Sequence, residues 1–454
     1  MNATLLEAWR ATVHAQPAAV ALIDATSGRR WTRADLDAAA DAWHAAHGDA
    51  VASQTVAFAE PNGFDWLCVF LGLLKVSACA APLDPAEPAA AQLAAARSIR
   101  ATALWHGHRL EILAPPARPP RDGRRLVKFT SGSTGAPRAL YFADAEMLAD
   151  GAHICTGMDI RTGDLNLGLI PWGHSYGLGN LVVPLLSQGT AILFGAPPLP
   201  HAIAAIVAQH RPTLFPAVPA LLRALAEADI AAASLASLRT VISAGAPLAP
   251  EIARAFTQKF ARKIHGFYGS SETGGITYDR TGDSAALGRG VGTPLPGVTL
   301  SFARGNRFTV ASDAVIRLRR RRPGSHRMPD RARLESTGEL VLLGRTGRFV
   351  KIAGRRLNLA EVEHAICALP GVHGAHVAAH PGRPDALAAV VASVLPGAEI
   401  RDALRPRLAA WKIPRKWIVL PEFPLTSRGK PDTRRLAALL AGSSDSAEMS
   451  DEMP

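Results

Sequence analysis

Residues 191–219 read AILFGAPPLPHAIAAIVAQHRPTLFPAVP, which is an apolar run, a segment with helical spacing and a second apolar run. The alternation continues through LRTVISAGAP (238–247) and KIHGFYGSSE (263–272), with helical segments between them. Short apolar strands separated by helices of about ten residues indicate an α/β fold with mainly parallel sheets. Such folds bind ligands at the carboxyl ends of strands, and the Gly- and Ser-rich stretches of this chain fall there.

The N-terminal third of the chain alternates in the same way. Residues 5–17 and 33–48 have helical spacing, and residues 55–61 and 79–85 are short apolar strands ended by Pro. These segments predict that the parallel-rich α/β architecture begins near the N-terminus.

The pattern changes after about residue 297, where the periodicity favours antiparallel pairing. Strands are predicted in GVTLSF (297–302), AVIRLRR (314–320) and ELVLLG (339–344). A Gly/Arg-rich join follows at residues 344–347. This section is expected to close the larger part of the molecule.

A small α+β unit is predicted beyond the join. Asn358 can cap a helix with Glu361 at its third position, a capping-box arrangement that predicts a helix ending at Pro370. Further elements are predicted as strands in residues 373–380 and 386–395 and a helix in residues 401–411.

The length of 454 residues favours two or more domains. We expect a large N-terminal domain of parallel-rich sheets flanked by helices at residues 1–345 and a small α+β domain at residues 346–441. Residues 442–454 are acidic and Ser-rich and are predicted to be disordered.

The net charge of +12 and the pI of about 10.1 raise the question of a nucleic-acid partner. Arg is spread along the whole chain and Ala is abundant, so a compositional bias explains the charge better, and no nucleic-acid partner is expected. A local cluster of arginines could hold a phosphorylated ligand, although such clusters more commonly lie on a solvated strand edge or loop. Its members are Arg317, Arg319, Arg320, Arg321 and Arg322.

Other features favour a cytoplasmic protein without a membrane span. The N-terminus lacks the basic-then-apolar order of a signal peptide, and the apolar run ending at Lys75 is too short to cross a bilayer. The four cysteines have no C-x-x-C spacing, so buried thiols in a reducing compartment are expected. They are Cys68, Cys79, Cys155 and Cys367.

The stretch KFTSGSTGAPRAL (128–140) places hydroxyl residues and glycines directly after an apolar strand. Such a loop can turn several backbone N–H groups and hydroxyl donors toward one point, which suits a polyphosphate. Arg138 adds a fixed positive charge near the end of the loop. The loop is not a Walker A sequence, and an ordinary flexible loop is the alternative.

Three further stretches carry candidate residues. In GFYGSSETGG (266–275), Tyr268 could stack on a flat base and Ser271 and Glu272 supply the hard oxygens that Mg²⁺ prefers, although a polar turn capping a strand has the same composition. SAGAP (243–247) is a turn after a strand, and Lys430 in LTSRGK could reach away from its own domain or lie solvated on the surface.

Taken together and in this order, the stretches resemble the adenylate-forming superfamily of acyl-CoA synthetases, peptide-synthetase adenylation domains and luciferases, over about residues 5 to 440. FTSGSTGAPRAL is similar to the family's phosphate loop, FYGSSE to its Tyr-Gly-x-Thr-Glu motif and SAGAP to its adenine-contacting turn. Residues 326–345 resemble the ribose-binding stretch, residues 347–363 the hinge segment and residues 424–436 the motif with the catalytic Lys.

The resemblance implies a role for each matching residue. Phosphate binding falls to Thr130, Ser131, Gly132, Ser133, Thr134, Gly135 and Arg138. Adenine binding falls to Gly245, Ala246, Pro247, Tyr268 and Gly269, and ribose binding to Asp330 and Arg345. The resemblance implies that Ser271 contacts the α-phosphate, that Glu272 binds Mg²⁺ and that His174 lies beside the acid pocket. It also implies that Gly347 is the hinge and that Lys430 contacts the attacking carboxylate.

Three departures from the family pattern bear on these roles. Arg138 replaces the usual Lys and changes the geometry of the charge, and Met328-Pro329-Asp330 replaces Thr-Gly-Asp while keeping the acid. Gly347 stands where an Asp or Lys is usual, and its backbone freedom is compatible with a hinge. The chain is also shorter than typical members.

The resemblance implies ATP-dependent activation of a carboxylic acid as acyl-AMP, followed by transfer to the thiol of coenzyme A. The phosphopantetheine of an acyl carrier protein is the alternative acceptor. Amino-acid-activating relatives place an Asp in the stretch equivalent to PWGHSYG (171–177), where this chain has no acid, so an aryl or fatty acid is expected. A catalytically silent nucleotide-binding relative and a basic nucleic-acid-binding protein are the alternatives of other classes.

Overall fold

The computed structural model describes residues 3–116, 123–130, 138–316, 324–345, 349–352, 355–426 and 430–442. Within them, helices and mainly parallel strands alternate along the larger part of the chain, and smaller sheets follow toward the C-terminus. The α/β fold class predicted from the sequence is confirmed.

The strands lie in the following order along the chain. They are β1 (Val20–Asp24), β2 (Arg30–Thr32), β3 (Thr55–Ala59), β4 (Cys79–Pro82), β5 (Ala103–His106), β6 (Arg109–Ile112), β7 (Arg124–Thr130), β8 (Arg138–Ala143), β9 (Leu165–Leu167), β10 (Ala191–Phe194), β11 (Leu214–Ala217), β12 (Thr240–Ser243), β13 (Ile264–Ser270), β14 (Gly274–Tyr278), β15 (Thr293–Pro294), β16 (Thr299–Ala303), β17 (Arg307–Ala311), β18 (Ser325–Leu334), β19 (Leu340–Arg345), β20 (Phe349–Ile352), β21 (Arg355–Asn358), β22 (Val372–His380), β23 (Arg383–Ser393) and β24 (Lys416–Leu420).

The helices alternate with these strands. They are α1 (Leu5–Ala15), α2 (Arg33–Val51), α3 (Phe64–Lys75), α4 (Ala89–Ser98), α5 (Asp144–Met158), α6 (Ser175–Gly177), α7 (Val183–Gln188), α8 (Pro200–His210), α9 (Pro219–Glu227), α10 (Pro250–Phe260), α11 (Ser284–Leu287), α12 (Leu359–Cys367), α13 (Gly397–Leu404) and α14 (Thr433–Gly442), with a π-helical segment at Leu178–Val182 and 3₁₀ turns at Ala232–Leu235 and Ala410–Lys412.

The largest sheet has nine strands in the order β15-β14-β13-β12-β11-β9-β10-β1-β2. Its middle strands pair in parallel, and the pairs β13–β14, β14–β15 and β1–β2 are antiparallel. The helices that connect β10, β11 and β12 begin with Pro200 and Pro219, a favoured first helical position because Pro has no N–H to satisfy there. Because β11, β12 and β13 pair in parallel, their carboxyl ends lie side by side.

A second sheet has six strands in the order β6-β5-β3-β4-β7-β8, with parallel pairs in its centre and antiparallel hairpins at both edges. The remaining sheets are a four-stranded sheet in the order β16-β17-β18-β19, a two-stranded sheet β20-β21 and a three-stranded sheet β22-β23-β24.

The chain divides into two compact units by its internal contacts. The first consists of residues 1–301, 309–327 and 334–340, and the second of residues 302–308, 328–333 and 341–454. In the first unit, the largest apolar cluster contains residues of both large sheets, such as Leu22 of β1 and Phe58 of β3, together with buried residues of α3 and α7. A second cluster, which includes Phe215 of β11, packs with α8, α9 and α10.

The second unit has its own apolar core. Val362 and Ile366 of α12 pack with Leu387 and Val391 of β23 and with residues of α13. This small α+β arrangement agrees with the elements predicted from the sequence around residues 359–395.

Two predicted elements differ in the structure. Residues 314–316, the described part of AVIRLRR, form a turn, and the strand of this section is β17 instead. The short apolar run is buried in the turn, with Val315 donating its N–H to the carbonyl of Ser312. The helix predicted at 401–411 is α13, which begins at Gly397 and ends at Leu404, because an α-helix does not continue through a Pro such as Pro406.

Several other expectations concern the surface and the ends. Residues 317 and 319–322 of the Arg cluster, and residues 443–454 of the predicted tail, lie outside the described residues, while Gly442 ends α14. Cys68 and Cys79 are buried as expected, and Cys155 and Cys367 are half-buried. No helix in the described ranges has the length and apolar character needed to cross a membrane.

Candidate active site

The strand before the predicted phosphate loop forms one arm of a hairpin. Thr130 ends β7 and lies opposite Arg138, which begins β8. The hairpin therefore holds the first and last predicted phosphate-binding residues in register where β7 ends and β8 begins. The residues between them, including Ser131, Gly132, Ser133, Thr134 and Gly135, lie outside the described residues.

The predicted adenine turn follows β12 directly and leads into α10. Gly245 is exposed and has a φ of +90°, in the left-handed region that favours glycine. Ala246 and Pro247 follow it before the helix begins at Pro250. The glycine thus allows the sharp change of direction at the carboxyl end of the strand.

The Tyr-containing motif lies on the neighbouring strand. Tyr268 is half-buried on β13 opposite Thr277, and the register shifts between Tyr268 and Gly269, which is exposed. Ser271 and Glu272 lie half-buried in the turn to β14, where the Glu272 carbonyl accepts the N–H of Ile316 at 2.9 Å. The backbone of the turn is therefore fixed, and the Glu272 carboxylate is presented from it.

The His174 segment reaches the same edge of the nine-stranded sheet. His174 is half-buried and precedes α6, with its carbonyl accepting the N–H of Leu178 at 2.7 Å. Two residues on, the Tyr176 hydroxyl donates to the carbonyl of Ile242 at 3.2 Å, and its ring lies 5.8 Å from that of Phe267. Burial raises the pKa of Tyr176 well above its ordinary value, so this hydroxyl remains a donor.

Within the first unit, the described residues thus bring three predicted regions to adjoining strand ends. The turn at Gly245 follows β12, the Tyr268 motif ends β13, and Tyr176 joins the His174 segment to β12. This is the edge at which parallel α/β sheets bind ligands.

The sequence analysis did not identify two buried charged residues near these regions. Lys128 lies on β7 and Asp150 on α5, and each is only 2% exposed. Both interrupt otherwise apolar patterns: Lys128 stands between Val127 and Phe129, and Asp150 follows Met147 at helical spacing. A charged residue at a position that should be buried was the available signal.

The second unit holds the remaining described candidates, and each lies on a regular element or a short hairpin. Asp330 is half-buried on β18, and Arg345 ends β19. Lys430 is exposed in a turn where its carbonyl accepts the N–H of Thr426 at 2.7 Å, beside the bridge between Leu425 and Pro431. Gly347 lies outside the described residues.

The donor set near Glu272 is compatible with Mg²⁺ that is held partly by a substrate. No cluster of three or more His, Cys, Asp or Glu side chains suited to a metal occurs in the part of the chain that the structure describes. Mg²⁺ commonly takes one or two carboxylates and completes its octahedral shell with water and phosphate oxygens. A single carboxylate at Glu272, in a turn with the hydroxyl of Ser271, fits that mode.

Comparison with known proteins identifies the family. The AMP-binding enzyme family matches residues 109–302, and the C-terminal domain of AMP-binding enzymes matches residues 361–430. Together the two matches cover more than half of the chain. The chain therefore belongs to the AMP-binding, adenylate-forming superfamily.

The curated relatives differ in size and activity. CymA of Salinispora arenicola, a probable nonribosomal peptide synthetase, is 28% identical over 95% of this chain, which spans 6% of the CymA length. The phenyloxazoline synthase MbtB of Mycolicibacterium paratuberculosis is 27% identical over 85% of this chain and 38% of its own length. A feruloyl-CoA synthase of an Amycolatopsis species is 27% identical over 67% of both chains.

Solved structures share the fold over almost the whole chain. ATP-bound MatB from Rhodopseudomonas palustris has a TM-score of 0.80 and 21% identity, over 96% of this chain and 98% of its own. NpsA of Klebsiella oxytoca, in complex with 3-hydroxyanthranilyl-AMSN, has a TM-score of 0.81 and 21% identity, over 97% of this chain and 100% of its own.

Proposed function

We propose that this chain activates an aryl or fatty carboxylic acid with ATP and transfers the acyl group to the thiol of coenzyme A. The observation that carries the proposal is the convergence of the Gly245 turn, the Tyr268 motif and the His174 segment at adjoining strand ends. The sequence resemblance assigns these regions to nucleotide and acid binding, which supports the proposal. Family membership supplies the adenylation chemistry.

In the first step, a carboxylate oxygen attacks the α-phosphorus of ATP. An O–P bond forms, the bond from the α-phosphorus to the bridging oxygen breaks, and pyrophosphate leaves with the electron pair. Lys430 is proposed to lie between the carboxylate and the α-phosphate, where its charge reduces the repulsion of two anions. Ser271 is proposed to donate to the α-phosphate, and Thr130 and Arg138 to bind the outer phosphates.

Other residues are proposed to hold the nucleotide and the ion. Tyr268 stacks on the adenine beside the Gly245 turn, and Asp330 and Arg345 bind the ribose hydroxyls. Glu272 holds Mg²⁺, whose positive charge offsets the charge of the phosphates when it is bound.

In the second step the thiol sulfur attacks the acyl carbonyl carbon, the thiol proton is lost, and AMP leaves.

The described residues near His174 favour an acid without an α-amino group. Residues 171–177 contain no carboxylate to pair with an ammonium. The rings of Tyr176 and Phe267 lie 5.8 Å apart at the same strand ends, an apolar and aromatic setting that suits an aryl acid. The names of the feruloyl-CoA synthase and of the NpsA complex contain aromatic acyl groups. They support an aryl acid over a fatty acid.

A carrier-protein phosphopantetheine is the second candidate acceptor. It is favoured by the similarity of almost the whole chain to a segment of CymA, a probable peptide synthetase. Both acceptors present the same thiol arm, so the chemistry of the second step is unchanged.

Pyrophosphate release with MgATP tests both the acid and the acceptor. The panel contains benzoates, cinnamates, fatty acids of several lengths and amino acids, each with and without coenzyme A. Sustained release that requires one aryl or fatty acid and coenzyme A is the expected result.

Other outcomes discriminate among the alternatives. Release that stops after about one turnover, with coenzyme A without effect, favours tightly held acyl-AMP that awaits a carrier protein. Release with amino acids alone contradicts the proposed acid class. ATP binding without release for any acid favours a catalytically silent relative.

A further inference from the structure

The side chain of Asp150 is buried beside the turn that carries Ser271 and Glu272. Its Oδ1 accepts the N–H of Gly275 at 2.8 Å, three residues beyond Glu272. Within the described residues, its Oδ2 is buried without a hydrogen-bond partner. An unsatisfied buried carboxylate oxygen costs free energy. A buried carboxylate in such a place therefore calls for a structural or functional explanation.

Glycines make room for this carboxylate on two sides. A Cβ on Gly274, which has a φ of +70°, would collide with Asp150 Oδ1. A Cβ on Gly179, in the π-helical segment after His174, would lie 3.1 Å from Asp150 Oδ2. Asp150 therefore hydrogen-bonds to the Tyr268 motif and faces the π-helical segment that follows His174.

Lys128 brings a positive charge to the same region from the phosphate-loop strand. It lies two residues before Thr130 on β7, and its Nζ is 4.1 Å from the centroid of the Phe142 ring. Burial lowers the pKa of Lys128, and the charges of Asp150 and Glu146 act in the opposite direction. Burial likewise raises the pKa of Asp150, and the charge of Lys128 opposes that rise. Each charge thus favours the ionised form of the other.

We propose that Asp150 is a positioning residue that holds the His174 segment and the Ser271–Glu272 turn together for adenylation, and that the buried charge of Lys128 on the phosphate-loop strand supports it. The inference rests on the proposed function. Neither residue is assigned contact with ATP or the acid. Their effect is to fix the backbone that presents the reacting groups, so they should influence turnover more than the affinity for ATP.

The chain offers a matched control in a second carboxylate on the same helix. Asp144 is also buried on α5, and its Oδ1 accepts the N–H of Leu5 at 3.2 Å. Its Oδ2 lies 3.7 Å from Nε of Arg125, which is on β7 like Lys128. This second pair joins the same helix and strand, but its backbone partner is on α1 and not in the candidate site.

The kinetic test compares K128M, D150N, the double variant K128M/D150N and the control D144N. The assay is acid-dependent exchange of pyrophosphate into ATP, with rates divided by the concentration of active sites. Each single change, K128M or D150N, should lower kcat about 10- to 100-fold, because it removes one buried charge and leaves the other less compensated, with KM for ATP changed less than about threefold. D144N should stay within about twofold of the parent kcat.

The double variant tests whether the two residues act as a unit. Removing both charges removes the mutual dependence of Lys128 and Asp150, so the double variant should be no slower than the slower single variant. Multiplied losses would show independent roles and overturn the pair. Equal losses in D150N and D144N, or unchanged kcat in both single variants, would overturn the positioning role.

Hydrogen exchange gives a readout that does not depend on activity. In D150A the peptide spanning residues 268–278 should exchange at least about tenfold faster than in the parent, because the acceptor of the Gly275 N–H is removed. The D144A variant should leave that peptide unchanged. A parent protein that activates no acid would contradict the proposed function alone, and unchanged exchange in D150A would contradict the positioning role alone.

Discussion

Lys430 has a fixed backbone and an exposed side chain. Its N–H donates to the Thr426 hydroxyl at 3.3 Å, and its carbonyl accepts the Thr426 N–H at 2.7 Å. Truncation of the side chain to Ala therefore preserves both backbone hydrogen bonds while it removes the charge.

The Lys430→Ala variant should slow acyl-AMP formation at least about 100-fold, because one charge contact to the transition state is lost. Thiol transfer from preformed acyl-AMP should remain nearly intact. Single-turnover measurement of each step checks the prediction. Lys412→Ala, which removes a surface pair with Glu361, is the control and should leave both steps within about twofold. Equal loss in both steps of Lys430→Ala would rule out the assigned role.

At this scale, motif residues could be placed from the sequence because their order along the chain is itself informative. The influence of Lys128 and Asp150 on each other could not be predicted, because it depends on how α5 packs beside β7 and β14. The sequence shows only two charged residues at apolar positions. The Tyr176 hydrogen bond to Ile242 likewise depends on tertiary packing.

Helix α2 begins with a capping box that couples its stability to pH. The Thr32 hydroxyl accepts the Asp35 N–H at 3.1 Å, and Asp35 Oδ2 accepts the Thr32 N–H at 2.8 Å. Hydrogen bonding from the Thr32 backbone, followed by that from its side chain, holds the pKa of Asp35 below its usual 3.8. A lowered folded-state pKa means that the stabilisation is full above pH 3.8 and is lost as pH falls through the folded-state value.

The Asp35→Asn variant should therefore have a lower Tm than the parent at neutral pH, and the difference should close below pH 3.8. Thermal unfolding followed by circular dichroism at matched pH values measures both. Asp49→Asn, in the last turn of the same helix, should cause no loss, because a negative charge there opposes the helix dipole. A Tm difference for Asp35→Asn that persists unchanged at pH 3 would contradict the prediction.

Among the elements, the strongly periodic ones were predictable and the short ones were not. Strands β10 to β13 and helices α8 to α10 lie where the alternation of apolar runs and helical spacing placed them. Residues 314–316 are apolar like a strand, but burial alone does not separate a buried turn from a buried strand. The neighbouring strand, β17, contains two buried residues, Phe308 and Val310, between more exposed ones.

At the scale of the whole molecule, the two units each have their own apolar core. The larger one contains the described phosphate, adenine and acid positions, and the smaller one contains Asp330, Arg345 and Lys430. The first half-reaction is an attack on the α-phosphorus and the second is an attack on the acyl carbon, so the two steps need different groups beside the acyl phosphate. We propose that the segment at Gly347 lets the smaller unit rotate between the steps, which would remove Lys430 and admit the thiol arm.

The Gly347→Pro variant tests this proposal, because Pro restricts φ and also constrains the preceding residue. Acyl-AMP should form and accumulate, with thioester formation slowed relative to the parent. Quenched-flow separation of acyl-AMP and thioester measures both products. Gly163→Pro, in the loop between α5 and β9, is the matched control, and it should leave the ratio of the two rates unchanged. Normal thioester turnover in Gly347→Pro would exclude Gly347 as the hinge, whereas equal loss of both steps would mean that its conformation is needed before any rotation.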